Sequence, residues 1–264
     1  MTVLCVLSVV STALTVIFGN FSITPALIWI IPTMLVGYWV AALIALVILV
    51  VIFALVTYTK KDVTEEKRLF RLSVEYLAEL VLTVLRIKLV VKGKEKLPEG
   101  RVLLVSNHLS MFDPIAVLAA LRGKKISFIS KPENFKIPIV ATFIRRCRFM
   151  AIDRDNPRNA MRTINAAAAM LKADECSIGI YPEGTRSRTG EMLPFKAGAF
   201  KIAMKANVPI VVMKTSGTNL VWSHTPFRRT DVELNIIDVL SPENFKEKST
   251  NDIADEIRDM LMVQ

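Results

Sequence analysis

Two short stretches hold side chains whose types and spacing could do chemistry. In VLLVSNHLSMFDP, Asn107 and His108 follow a run of apolar residues, and Asp113 stands five positions beyond the histidine. A histidine at a strand end and a carboxylate across the next turn can converge. The carboxylate then keeps one ring nitrogen protonated and leaves the other free to take a proton, as a general base must. Asp113 precedes Pro114, and Asp-Pro is also the ordinary N-cap and first residue of a helix, a role compatible with the first. In IYPEGTRSRTG, Glu183, Gly184, Thr185 and Arg186 follow a second apolar run. Gly184 lets backbone approach a ligand closely, and Arg186 presents a bidentate fork to a phosphate. Arg154, with the basic run Arg145, Arg146 and Arg148, supplies further guanidiniums that could converge on a phosphomonoester.

Other chemistries fit poorly. The only histidines are His108 and His224, neither near a clustered cysteine, so no metal site is expected. No G-x-S-x-G elbow offers a nucleophilic serine. Cys5, Cys147 and Cys176 are odd in number and lack metal-ligand spacing; they read as small buried hydrophobes in a reducing compartment.

Short β-rich runs must position the two loops: Ile87–Val91, Val102–Ser106, Ile126–Ile129, Phe149–Ile152, Ser177–Tyr181, Ile210–Thr215 and Val232–Val239. Helical stretches near Pro114–Leu121, Asn134–Cys147, Pro157–Ala173, Phe195–Ala206 and Thr250–Met262 separate them. This alternation predicts an α/β domain with a mixed, mostly parallel sheet flanked by helices. Its ligand site should lie at the carboxyl ends of strands, where Val102–Ser106 and Ser177–Tyr181 run into the two polar loops.

The front of the chain is a different material. No Lys, Arg, Asp or Glu occurs between Met1 and Thr59, so the whole net charge of +10 falls beyond them. Val3 to Phe18 and Ala26 to Tyr58 are apolar runs around a turn-like Gly19 to Pro25, which predicts a membrane hairpin over 1–59. The second run can span a bilayer if it tilts or breaks near Pro32. A cleaved leader fits less well, because no basic residue precedes Val3. Lys60, Lys61, Lys67, Arg68 and Arg71 follow the second run and place the charged part on the cytoplasmic side of the cell membrane. Apolar residues at helical spacing from Thr64 to Arg86 predict an amphipathic helix over 60–86, lying in the bilayer interface or covering the core of the α/β domain at 87–264. Such a basic balance suits nucleic acid, an anionic bilayer or acidic ligands. The hairpin favours membrane lipids as the partner, and no nucleic acid is expected.

The two motifs together resemble the 1-acylglycerol-3-phosphate acyltransferases of the glycerolipid acyltransferase superfamily. NHLSMFD fits the N-H-x4-D block of that family and YPEGTRS its F-P-E-G-T-R-S block, with KPENFKIP and IDR between them spanning Lys131 to Arg154. The likeness covers roughly residues 88–215. Val212 stands where the last block usually has a second proline, and Ala141 and Cys147 replace common glycines. The resemblance implies that a fatty acyl group passes from a thioester, acyl-coenzyme A or acyl carrier protein, to the sn-2 hydroxyl of lysophosphatidic acid, giving phosphatidic acid for phospholipid biosynthesis. The donor is a substrate, and no resident cofactor is implied. His108 would be the base and Asp113 its orienter; Asn107, Lys131, Arg154, Glu183, Gly184, Thr185 and Arg186 would bind substrate. Glu183 would hold an arginine or the acceptor hydroxyl, and amides near Gly184 would face the oxyanion. An acyltransferase for glycerol-3-phosphate, another lysophospholipid or a lyso-aminolipid is the alternative, followed by a non-catalytic lipid-binding protein.

Overall fold

The computed structural model describes residues 25–59, 61–63, 65–187 and 191–263. Contacts divide the chain into two compact units, residues 1–45 and 46–264. The first arm of the expected hairpin lies outside the described residues. The second arm is one helix, α1 (Pro25–Val56), running unbroken through Pro32. Its 32 residues reach about 48 Å at ~1.5 Å per residue, more than the ~30 Å of a hydrocarbon core, so a crossing would be tilted and not broken at the proline. From Ile30 to Val56 the helix is apolar enough to cross a bilayer, and only 11% of its most apolar window is buried, unlike a core helix.

The unit boundary falls inside α1, not at residue 59. The last turns of α1 and the segment after it are fastened to the α/β part. Phe53 stacks on Phe70 and Phe143, at 5.4 and 5.6 Å between centroids. Arg146 Nε donates to the Thr57 carbonyl, and Arg145 pairs with Asp62.

The amphipathic stretch forms α2 (Arg68–Val84), shorter at both ends than its apolar spacing predicts. It buries Phe70, Val74, Ala78 and Leu82 and leaves Leu69, Tyr76 and Leu80 exposed. Arg71 is buried beside them. Its Nε meets Glu66 at 2.6 Å, and Nη1 donates to the Ile126 carbonyl at 2.9 Å, pinning α2 to the start of the third strand.

All seven β-rich runs form strands: β1 (Ile87–Lys92), β2 (Leu103–Ser106), β3 (Ile126–Ser130), β4 (Met150–Ala151), β5 (Ser177–Ile180), β6 (Ile210–Ser216) and β7 (Thr230–Leu240). They make one sheet in the order β1-β7-β6-β2-β5-β3-β4. β6, β2, β5, β3 and β4 run parallel, while β7 is antiparallel to β6 and carries β1 parallel to itself. The sheet is thus mixed and mostly parallel, as the alternating pattern predicts.

Helices cover both faces. α3 (Asp113–Ala120) packs with α2 on one. On the other, α5 (Pro157–Lys172), α6 (Lys201–Ala206) and α7 (Thr250–Val263) bury Ile164, Leu171, Ile202, Ile253 and Ile257 against Leu103, Val105, Ile178 and Ile210. Two predicted helices start late. Pro138 forces Ile137 into extended backbone (φ −83°, ψ 110°), so 134–147 splits into a 3-10 turn at Pro132–Lys136 and α4 (Pro138–Arg146). Similarly, 195–206 opens as a 3-10 turn over Ala197–Phe200 before α6.

Candidate active site

The parallel strands direct every predicted site residue to one edge. His108 follows the carboxyl end of β2, Lys131 that of β3, Arg154 lies beyond β4, and Glu183 to Arg186 lie beyond β5. Because β2 is flanked by β5 and β6, the two motif loops are neighbours by topology.

His108 Nδ1 lies 2.8 Å from Asp113 Oδ2. A carboxylate only accepts, so Nδ1 is the donor in this bond, which in a neutral imidazole leaves the lone pair on Nε2. Oδ2 also accepts from the amides of Leu109 at 2.7 Å and Ser110 at 2.9 Å, and the Thr218 hydroxyl donates to Oδ1. The carboxylate is fully buried, whereas 20% of the histidine side chain reaches solvent. Asp113 is the first residue of α3 but does not cap it. Its side chain turns back into the preceding loop, because the tight 108–113 turn puts two unpaired amides within its reach.

The second loop supports the first. Glu183 Oε1 accepts from the His108 amide at 2.7 Å, and Oε2 accepts from the Leu193 amide at 3.0 Å. The Ser187 amide donates to the His108 carbonyl at 3.0 Å. Both main-chain groups of the histidine are therefore held by residues of the PEGTRS loop. Both carboxylate oxygens of Glu183 thus serve backbone amides, and one of them tethers the main chain of His108. Burial pushes its carboxyl above the ordinary range, against the opposing pull of the two amides.

Asn107 likewise serves backbone. Its Nδ2 donates to the Thr215 carbonyl at 2.9 Å and its Oδ1 accepts from the Thr215 amide at 2.8 Å. The side chain copies a strand residue and extends the β2–β6 ladder one step past the Ser106–Met213 pair.

Gly184 has φ +76°, a left-handed conformation natural to glycine. The Arg154 guanidinium lies over it, with Cζ 3.5 Å from where a Cβ would stand. Arg154 and the PEGTRS loop do converge. Partial burial lowers the Arg154 pKa, and Glu133 and Asp155 oppose the shift. The Gly184 amide itself donates to the Tyr181 carbonyl at 3.0 Å and so cannot face an oxyanion. The amides of Thr185 and Arg186 have no protein acceptor among the described residues. Lys131, Thr185 and Arg186 are exposed at the same edge.

The basic run does not join them. Arg145 pairs with Asp62, Arg146 bonds the Thr57 carbonyl and covers the Phe70 ring, and Arg148 pairs with Glu175 at 2.6 Å. These arginines fasten the 53–71 segment and the start of β4, because α4 carries them to the opposite end of that strand. Cys147 and Cys176 are buried free thiols pushed up to about 12 and about 11 by desolvation, consistent with inert packing.

Two contributors were not among the predicted site residues. Thr218 reaches Asp113 from the loop after β6, over a separation of 105 residues with no local signal. Tyr181 stacks flat on the His108 ring, at 4.3 Å and 16°. It is the first residue of the YPEGTRS block, at the position where the family pattern has another aromatic, phenylalanine.

Residues 88–216 match the profile of the Acyltransferase family. The chain is 30% identical over 179 residues to the 1-acyl-sn-glycerol-3-phosphate acyltransferase of Limnanthes douglasii, covering 68% of this chain and 63% of that protein. It is 29% identical over 176 residues to the enzyme of the same description from Saccharomyces cerevisiae, covering 65% and 58%. The chain thus spans roughly three-fifths of the length of these relatives. The crystal structure of the 1-acyl-sn-glycerophosphate acyltransferase PlsC from Thermotoga maritima superposes with a TM-score of 0.59 at 28% identity, covering 73% of this chain and 79% of that one. Residues 88–216 of this chain therefore form an Acyltransferase-family domain.

Proposed function

We propose that this protein transfers a fatty acyl group from an acyl thioester to the sn-2 hydroxyl of lysophosphatidic acid. The observation that carries the reading is the His108–Asp113 pair: Nδ1 is fixed on a buried carboxylate and Nε2 has no protein partner among the described residues. Nε2 takes the proton of the acceptor hydroxyl as its oxygen attacks the thioester carbonyl. The tetrahedral intermediate then expels the thiolate, which recovers that proton from the imidazolium, giving ester and free thiol. Base catalysis of this kind is worth about 10²–10⁴-fold, leaving the rest to positioning and oxyanion stabilisation. The Thr185 and Arg186 amides are the donors available for the oxyanion. Arg154 and Arg186, with Lys131, bind the phosphate of the acceptor. Coenzyme A and acyl carrier protein are both acidic donors suited to a basic domain. Action takes place at the cytoplasmic face of a membrane reached through the apolar N-terminal region, with α2 in the interface.

The test is acyl transfer from labelled palmitoyl-coenzyme A and palmitoyl carrier protein, offered lysophosphatidate, glycerol-3-phosphate and a lysophospholipid without a phosphomonoester. Preference for lysophosphatidate supports the reading, and the faster donor names the carrier. Equal or better use of the acceptor lacking the phosphomonoester contradicts it.

A further inference from the structure

The loop between β6 and β7 turns large apolar side chains outward. Leu220 is 43% exposed, Trp222 64% and Phe227 75%, and Met111, in the turn between His108 and Asp113, is 51% exposed. Isolated exposed apolar residues need no explanation, but this loop sits against the 108–113 turn that carries Met111: the Trp222 ring packs on buried Phe112 at 5.2 Å and 55°.

The loop is built to present them. Val221 is fully buried and anchors it, and the Thr218 hydroxyl bonds Asp113. Arg86, just past the end of α2, donates to the carbonyls of Pro226 at 3.0 Å and Phe227 at 3.3 Å. His224 Nδ1 lies 3.2 Å from the Thr230 hydroxyl. Leu220, Trp222 and Phe227 are therefore propped outward by a tied scaffold, not left on a loose strand.

Charge narrows the occupant. Arg228 and Arg229 are the only charged residues between Gly217 and Thr230, and Arg86 adds a third cation. Arg229 is paired with Asp231 at 3.0 Å, while Arg228 is exposed with no ion pair among the described residues. Tryptophan, phenylalanine and leucine rimmed by arginine form the composition of a membrane interface. An extended peptide would need a free strand edge, and here β6 and β7 each have two neighbours.

We propose that Met111, Leu220, Trp222 and Phe227, rimmed by Arg86 and Arg228, form a second membrane-contacting surface that inserts into an anionic leaflet and holds the mouth of the His108 site on it. The proposal rests on the reading that the acceptor is a bilayer lipid. It adds a contact independent of the apolar N-terminal region and explains why the loop that completes the Asp113 shell is also the one bearing exposed aromatics.

The experiment uses the full chain with Trp29 and Trp39 replaced by Phe, so that Trp222 is the sole tryptophan and is excited selectively at the red edge of the indole band. It is reconstituted into phosphatidylglycerol–phosphatidylcholine vesicles with or without brominated acyl chains. Brominated lipid should quench Trp222 emission, and Leu220→Ser/Phe227→Ser should weaken that quenching. The same double variant should lose about 10-fold or more of acyl transfer to vesicle-borne acceptor, since two apolar side chains no longer insert, while transfer to a short-chain acceptor below its micelle concentration is unchanged. Trp222 unquenched in brominated vesicles overturns the proposal, whether acrylamide reaches it from water or another protein surface shields it. Equal loss on both acceptors overturns it too, by making the patch part of the catalytic scaffold. Absence of transfer to every acceptor counts against the proposed reaction, and the quenching still decides the surface.

Discussion

The phenol ring of Tyr181 lies flat on the imidazole of His108, with centroids 4.3 Å apart and planes within 16°. Phe128 stacks on Tyr181 in turn, at 5.7 Å and 6°, and Phe149 tilts against Phe128 at 5.4 Å. Asp113 fixes the histidine in the plane of its ring, Tyr181 fixes it out of plane, and Glu183 and Ser187 hold its backbone. The base is thus positioned along every direction in which it could drift.

Tyr181 acts as a positioning residue through its ring and not its hydroxyl, which is buried without a partner. Tyr181→Phe should retain kcat and raise the unfolding temperature, because an unsatisfied buried hydroxyl costs about 1–3 kcal/mol. Tyr181→Leu should lower kcat by about 10-fold or more with KM nearly constant, as expected for a misplaced catalytic group. Steady-state kinetics and thermal unfolding of both variants check this. Equal loss of kcat in both would move the role to the hydroxyl.

Gly179 in β5 makes room for the stack. A Cβ there would stand 2.4 Å from Cε1 of Phe128. Gly179→Ala should cost about 1–3 kcal/mol by overpacking and reduce kcat by displacing Phe128 and Tyr181. Gly198→Ala is the control: its Cβ would meet only Ile164 Cδ1 at 3.9 Å, and both readouts should stay near wild type.

Glu183 gives a pH signature. Burial raises its carboxyl above the ordinary range, so the folded chain keeps this proton to higher pH than the unfolded chain. The associated stability is fully present below about 4.3 and is lost as pH rises through the raised value. Wild type should therefore gain stability relative to Glu183→Gln as pH falls through that window, and unfolding temperatures measured against pH follow the difference. A pH-independent difference contradicts the assignment. At neutral pH the variant should also lose kcat, since an amide turns N–H donors towards one of two backbone donors.

Arg154 and Arg186 should act on binding. Arg154→Ala and Arg186→Ala are each expected to raise KM for lysophosphatidate by about 10-fold or more with kcat largely retained, the loss of a charge-assisted contact to phosphate. A fall in kcat at unchanged KM would remove them from the phosphate site.

The sheet was readable from sequence because most strands are short apolar runs rich in β-branched residues and closed by turn residues, and the His108–Asp113 pair because the two are separated by one local turn. The reversed direction of β7 was not, since apolar alternation is the same for either orientation. Thr218 and the Tyr181 stack depend on which strands become neighbours, which spacing does not encode. Arg145, Arg146 and Arg148 misled for the same reason: a basic run states its charge but not the end of the strand at which it lies. The backbone partners of Asn107 and Glu183 were not legible either, because side-chain amides and carboxylates bind backbone as readily as ligand.

The most direct test of the central claim compares acyl transfer to lysophosphatidate by wild type, His108→Ala and Asp113→Asn, each shown to be folded by thermal unfolding. A base worth about 10²–10⁴-fold predicts that kcat falls by that factor in His108→Ala, and substantially in Asp113→Asn, with KM little changed. Folded His108→Ala with near wild-type kcat would contradict the account.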